Sequence, residues 1–176
     1  MVDEQLLPRG IADARVLRAM RTVPREEFVP EVERYLAYAD RPLPIGHEQT
    51  ISQPYTVAFM CEALQLRGGE RVLEIGTGSG YGAAVLSELA VRVDTIERIP
   101  ELAVAAQACL ERLGYDNVRV FSGDGTLGLP DEAPFDAIVV TAGGETLPEA
   151  FVQQVRDGGR IVIPLGPAGE SQTMYR

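Results

Sequence analysis

The residues of this 176-residue chain best suited to chemistry stand where short apolar runs break off. Val72-Leu73-Glu74-Ile75 gives way to three alternating glycines in Gly76-Thr77-Gly78-Ser79-Gly80, and then to the apolar-periodic segment Ala83–Leu89. That order predicts a buried strand, a tight loop and a helix. The glycines permit positive φ and let a ligand approach the backbone, and the free N–H groups at the helix start suit a polar or charged small molecule. The dinucleotide fingerprint G-x-G-x-x-G would need a glycine where Tyr81 stands. Glu97 follows about 20 residues beyond the glycines, where a carboxylate can accept from both hydroxyls of a ribose. Gly123-Asp124-Gly125 closes the next apolar run, and Asp124 there can accept from an adenine amino group. A fourth run ends in Thr141-Ala142, a small-residue rim. Plainer readings exist: Glu97 as a solvated charge, even paired with Arg98, and Asp124 as an ordinary turn residue between glycines. Three consecutive strand ends that each deliver a suitable residue type weigh against coincidence.

The elements that must position these residues follow a β-α-β rhythm. Strands are predicted at Arg92–Ile96, Val118–Ser122, Phe135–Val140 and Arg160–Pro164, with helices at Pro100–Leu113 and Pro148–Arg156 and a turn at Gly158-Gly159. Such units build a mostly parallel, doubly wound sheet with helices on both faces and ligands at the carboxyl ends of the strands. Ahead of it lie an amphipathic helix over residues 11–21, a helical turn at Arg25–Pro30 and an irregular stretch, Ala37–Gly46, too long for a simple connector. Gln49-Thr50-Ile51-Ser52-Gln53-Pro54 then leads into a helix with Val57, Met60, Cys61 and Leu64 on one face. Taken alone, Ser52 reads equally well as that helix's N-cap, worth about 1 kcal/mol. The expected organisation is one α/β domain, with residues 1–53 as a helical and loop extension and residues 54–176 as its core.

Composition narrows the function. The net charge of −10 disfavours a nucleic-acid backbone as the main partner, and no Arg cluster stands out in the sequence. All sixteen basic residues are Arg. No apolar run approaches the ~20 residues of a membrane span, and the acidic start Met1–Gln5 lacks the order of a signal peptide, so a cytoplasmic monomer is expected. One His and two scattered Cys leave almost no candidate metal ligands, and no metal is expected.

The G-x-G-x-G loop after V-L-E-I resembles the first motif of class I S-adenosyl-L-methionine (AdoMet) methyltransferases. The wider sequence is similar to the protein-L-isoaspartate O-methyltransferases. The similarity is carried by Val23–Pro30, Ala37-Tyr38, Pro42–Gly46, Gln49–Pro54, Leu73–Tyr81, Glu97-Arg98, Gly123–Gly125, Ala133–Asp136 and Gly158-Gly159. The Q-T-I-S-x-P stretch is the most specific of these. The resemblance implies transfer of the AdoMet methyl group to the free α-carboxylate of isoaspartyl residues in damaged proteins, leaving S-adenosyl-L-homocysteine. It implies cofactor contacts from Glu74, Gly76, Thr77, Gly78, Ser79, Glu97, Gly123, Asp124, Gly125 and Thr141. Thr50, Ile51 and Ser52 would face the substrate, with Ser52 as an orienting hydroxyl and not a covalent nucleophile. His47 and Glu48 receive no role. The family continues into a further C-terminal strand pair, whereas Glu170–Arg176 is expected to begin a strand and stop. The expectation is of a shortened chain that binds AdoMet and turns substrate over weakly. Two alternatives stay open: a silent AdoMet-binding module, and a class I methyltransferase for another carboxylate.

Overall fold

The structure, a computed structural model, describes residues 1–167 and 172–176. A turn of π-helix at Val2–Leu6 and a 3₁₀ turn at Leu7–Arg9 open the chain. Helix α1 (Ala14–Thr22) starts at Asp13, whose carboxylate accepts from the backbone N–H groups of Arg15 and Val16, a side-chain cap. It buries Val16, Leu17, Ala19 and Met20 and stops ahead of Pro24. Two 3₁₀ turns, Arg25–Phe28 and Glu31–Leu36, lead to strands β1 (Leu43–Gly46) and β2 (Gln49–Ile51) and helix α2 (Pro54–Leu64).

The core then alternates as β3 (Arg71–Ile75), α3 (Tyr81–Ser87), β4 (Arg92–Glu97), α4 (Pro100–Leu113), β5 (Val118–Ser122), β6 (Phe135–Val140), α5 (Glu149–Gln154), β7 (Val155–Leu165) and β8 (Thr173–Tyr175). Six strands form one sheet in the order β5-β4-β3-β6-β7-β8, all parallel except β8, which runs antiparallel to β7. The doubly wound α/β class and the helical extension are therefore as expected. The strand order reverses between β3 and β6, which opens a crevice at their carboxyl ends. The loop expected across Leu165–Gly169, and the start of the last strand at Glu170, fall partly outside the described residues.

The two faces of the sheet are covered unequally. One packs Val72, Val93, Val118, Ala137, Val139 and Val162 against α1–α4 and the N-terminal extension in a large core. The other buries Leu73, Ile75, Ile96, Phe135, Ile138, Val140 and Ile163 with Phe151 of α5. Where that second face lacks a helix, arginines from three neighbouring strands close over Asp94, which is itself fully buried. Arg92 Nε and Arg119 Nε donate to Asp94 Oδ1 at 3.1 and 2.8 Å, and Arg71 stands 3.9 Å from Oδ2. Arg92 and Arg119 also pair with Glu132. The fold thus assembles the Arg cluster that the sequence does not show, but around carboxylates.

Several boundaries differ from the sequence reading: α1, expected over residues 11–21, is found at Ala14–Thr22, and Gln49–Ile51 is a strand. Residues 43–46 are a strand, not irregular chain, because Leu43 pairs with Ile51 and Pro44 with Thr50 in a tight hairpin. Its turn residues, His47 (φ 51°) and Glu48 (φ 57°), both sit in the left-handed region, which Gly, Asn and Asp normally supply. Gly158-Gly159 is not a turn between helix and strand. Strand β7 already begins at Val155, opposite Phe135, and residues 156–159 bulge out before Arg160 rejoins opposite Ala137. That early start also ends α5 at Gln154, short of Arg156.

Asp94→Asn keeps an acceptor oxygen but removes the negative charge shared by Arg92 and Arg119 and sets an amide donor against the guanidinium groups. Asp94→Asn is expected to lower stability by about 1–3 kcal/mol, the worth of hydrogen bonds to a charged group with partly exposed donors. Urea unfolding monitored by circular dichroism measures this, and an unchanged midpoint would show that the cluster is held by Glu132 alone.

Candidate active site

A cleft opens at the crevice between β3 and β6 and is lined by segments far apart in sequence. Gly76, Thr77, Gly78 and Ser79 form one wall; Glu74, Tyr81 and Gly82 the back; Glu97 one side; Thr141 and Ala142 the other. Across from the glycine loop, Glu48–Ser52 and Val57 form the roof. The loop expected to bind cofactor and the loop expected to meet substrate thus face each other.

The glycine loop is laid across the end of β4. Gly76 N and Thr77 N both donate to Ile96 O, at 2.9 and 3.3 Å. Gly76 adopts φ +97°, and a Cβ there would come within 2.5 Å of Thr141 Oγ1, so only glycine fits. The Thr141 hydroxyl lies 2.9 Å from Ile75 O and 2.7 Å from Gly76 O, so it braces the loop instead of reaching into the cleft. Glu97 is almost fully buried yet lines the cleft. Its Oε2 accepts from Gly78 N at 2.9 Å and its Oε1 from Ile99 N at 3.0 Å, and no ion pair with Arg98 forms among the described residues. A carboxylate has about four acceptor directions, so two remain for ligand hydroxyls.

Glu74 lies deeper, about 1% exposed. Thr95 Oγ1 donates to its Oε2 at 2.7 Å, and Thr95 in turn shares a 2.7 Å hydrogen bond with Thr77 Oγ1. Gly82 lets Glu74 lie close to α3, because a Cβ there would force the Glu74 Oε1 end to shift. Burial pushes the Glu74 carboxyl up to about 8; the Thr95 hydrogen bond opposes this and the nearby Glu97 charge adds to it. The neutral form of Glu74 is thus favoured at neutral pH.

Ser52 is not a helix cap. Gln53 holds the N-cap position of α2 without a side-chain bond, and the Ser52 hydroxyl makes no hydrogen bond among the described residues. Its carbonyl is held by Arg25 Nη2 at 2.7 Å. Ile51 is buried against Leu43 through the hairpin, whereas Thr50 is exposed on the roof.

Gly123, Asp124 and Gly125 do not line the cleft. Gly123 N donates to Glu97 O at 2.9 Å, which places the segment beside Glu97. Asp124 is exposed, and its Oδ1 accepts from Thr126 N and Oγ1 at 2.9 and 2.8 Å, the turn role that its glycine neighbours also suggested. Oδ2 is the oxygen left over. The sequence reading gave no site role to Glu48, Gln49, Val57, Tyr81 or Gly82. Tyr81 carried one signal, standing where a dinucleotide loop would place its third glycine; the others carried none. Among the described residues no group of His, Cys, Asp and Glu is placed to hold a metal ion, and no helix is long and apolar enough to cross a membrane.

The protonated state of Glu74 has a thermodynamic consequence. Its folded pKa, about 8, stands above the ordinary 4.5, so between those values the folded chain holds a proton that the unfolded chain releases. The contribution is present in full below about pH 4.5 and is lost as pH rises through about 8. Glu74→Gln cannot ionise, so its melting temperature is expected to gain on the parent's steadily from pH 5 to 9. A constant difference across that range would mean that Glu74 is ionised throughout.

Comparison with known proteins agrees with this geometry. The family model described as Protein-L-isoaspartate(D-aspartate) O-methyltransferase (PCMT) matches residues 1–176. A Marinobacter nauticus protein-L-isoaspartate O-methyltransferase 2 is 60% identical over 174 residues, covering 99% of this chain and 80% of its own. The Gloeobacter violaceus protein-L-isoaspartate O-methyltransferase is 57% identical, covering 99% of this chain and 85% of its own. A solved protein-L-isoaspartate O-methyltransferase superposes with a TM-score of 0.88 at 34% identity, covering 99% of this chain and 59% of that one. A Plasmodium falciparum structure assigned to the same enzyme, in complex with S-adenosyl-L-homocysteine, gives a TM-score of 0.84 at 27% identity, covering 99% and 86%. The chain belongs to the protein-L-isoaspartate(D-aspartate) O-methyltransferase family of AdoMet-dependent protein carboxyl methyltransferases.

Proposed function

We propose that this chain methylates the free α-carboxylate of isoaspartyl residues in damaged proteins, with AdoMet as methyl donor and S-adenosyl-L-homocysteine as product. The observation that carries the reading is the single cleft in which the Thr50-Ile51-Ser52 segment faces the glycine loop and Glu97. The residues present fit the cofactor: Glu97 has acceptor capacity to spare beside a loop whose glycine leaves no room for a Cβ. When bound, AdoMet supplies a methyl carbon activated by its positively charged sulfur.

Each residue then has a task. Glu97 accepts from the ribose hydroxyls. Gly76, Thr77, Gly78 and Ser79 offer backbone to the cofactor, and Glu74, neutral at the back of the cleft, shapes its floor. Asp124 reaches the adenine amino group with the oxygen that Thr126 leaves free, from a turn formed with Gly123 and Gly125. Thr141 fixes the loop from the far side. Thr50, Ile51 and Ser52 receive the isoaspartyl peptide, and the unengaged Ser52 hydroxyl orients its carboxylate. That carboxylate is ionised near pH 7, so the chain needs no general base, and its work is alignment of the reacting atoms. We infer a cytoplasmic monomer that acts as one domain on protein and peptide substrates and, at net charge −10, has no nucleic-acid partner.

Methyl transfer to matched isoaspartyl and aspartyl peptides tests the whole reading; equal rates on the two would refute it. Glu97→Ala is expected to weaken AdoMet by about 1.5–3 kcal/mol in titration calorimetry. An unchanged affinity would remove the ribose role. For Ser52→Ala the expectation is reduced turnover with AdoMet affinity and melting temperature unchanged, because the hydroxyl does not cap α2 and makes no hydrogen bond among the described residues.

A further inference from the structure

A charged residue heads the fully buried side chains by size. Arg25, in the 3₁₀ turn after α1, has no exposed surface. No carboxylate lies within ion-pair distance of it among the described residues. Its Nε donates to Ala37 O at 2.7 Å and its Nη2 to Ser52 O at 2.7 Å, while Nη1 has no partner among the described residues. The guanidinium carbon sits 4.6 Å from the centroid of the Tyr81 ring. Burying a charge without a counter-ion is costly, and an apolar side chain of similar size would fill the space at less expense. What an apolar side chain could not do is make these three contacts together. A lysine could not either, because its ammonium lacks the planar fork that serves two carbonyls and stacks on a ring.

Two of these contacts, Ser52 and Tyr81, belong to different parts of the cleft lining. Ser52 belongs to the roof that receives substrate, and Tyr81 begins α3 directly after the glycine loop. We propose that Arg25 is a positioning residue for methyl transfer: its fork, anchored at Ala37, holds the Ser52 main chain at a fixed offset from Tyr81 and so sets the Ser52 hydroxyl against the cofactor loop. The proposal rests on the reading of Ser52 as the orienting hydroxyl. Transfer by alignment is the chemistry most sensitive to such an offset, since a displacement of about 1 Å can cost on the order of 100-fold in rate.

The test is a double-mutant cycle of Arg25→Lys and Ser52→Ala. It is read as kcat and KM on an isoaspartyl peptide, with the dissociation constant of S-adenosyl-L-homocysteine measured alongside. Arg25→Lys is expected to bind S-adenosyl-L-homocysteine within about threefold of the parent while kcat falls about 10- to 100-fold, more than KM changes. Once the Ser52 hydroxyl is gone, adding Arg25→Lys should cost less than about threefold further, because the two act as one unit. Additive losses, or a parallel fall in cofactor affinity and turnover, would overturn the role of Arg25 while leaving that of Ser52 standing. Parental turnover in Ser52→Ala would instead overturn the reading of Ser52, and this proposal with it. Should Arg25→Lys not fold, the parent protein decides. Its ¹⁵N-labelled Arg25 Nε–H should be protected from exchange and should shift when isoaspartyl peptide joins the S-adenosyl-L-homocysteine complex, but not with aspartyl peptide. A resonance that stays still with both peptides would overturn the proposal.

Discussion

Glu97 accepts hydrogen bonds from two backbone amides of its own chain, and the candidate site depends on that grip. A carboxylate this deeply buried needs donors, and Gly78 N and Ile99 N supply them. One side chain thereby ties the glycine loop to the end of β4 and to the approach of α4. Around it Gly76 presses against Thr141, and α3 begins at Tyr81 directly after the loop.

The electrostatics of the cleft raise a puzzle that the structure resolves. Glu48, Glu74 and Glu97 all line a space meant for an anionic nucleophile. Burial removes the charge of Glu74 near neutral pH. Glu97 spends its charge on two backbone amides. Glu48 stands out on the exposed hairpin turn, where water screens it. Behind the wall, Arg25 contributes a positive charge with no carboxylate partner among the described residues. The same burial that neutralises one group preserves the effect of the other.

Local signals made much of this legible in the sequence. Pro100 at the start of α4 and Gly114 after its end fixed that helix to the residue, and the apolar run of β6, broken only by Asp136, marked a strand buried on both faces. What stayed hidden depends on tertiary context. His47 and Glu48 form a left-handed turn without the residues that advertise one, so the hairpin looked irregular. Gly82 matters only because Glu74 lies against it, eight positions away in the chain. Arg25 looks like any charged residue near a proline until the fold closes over it. Asp124 shows the opposite problem: the structure displays its turn role, one oxygen accepting from Thr126, and leaves the adenine role a matter of proposal.

The unequal cover of the two sheet faces also bears on how the molecule breathes. Native proteins open in separable cooperative units, and thinly packed regions open first. Here the thin side is the one that carries α5 and the arginine layer over Asp94. The substrate roof and helix α3 belong to the thick side, built into the core formed by the N-terminal extension and α1–α4. The far face can fray and close again while the walls of the cleft keep their register. In such an arrangement the substrate roof is tied to the better-packed of the two faces.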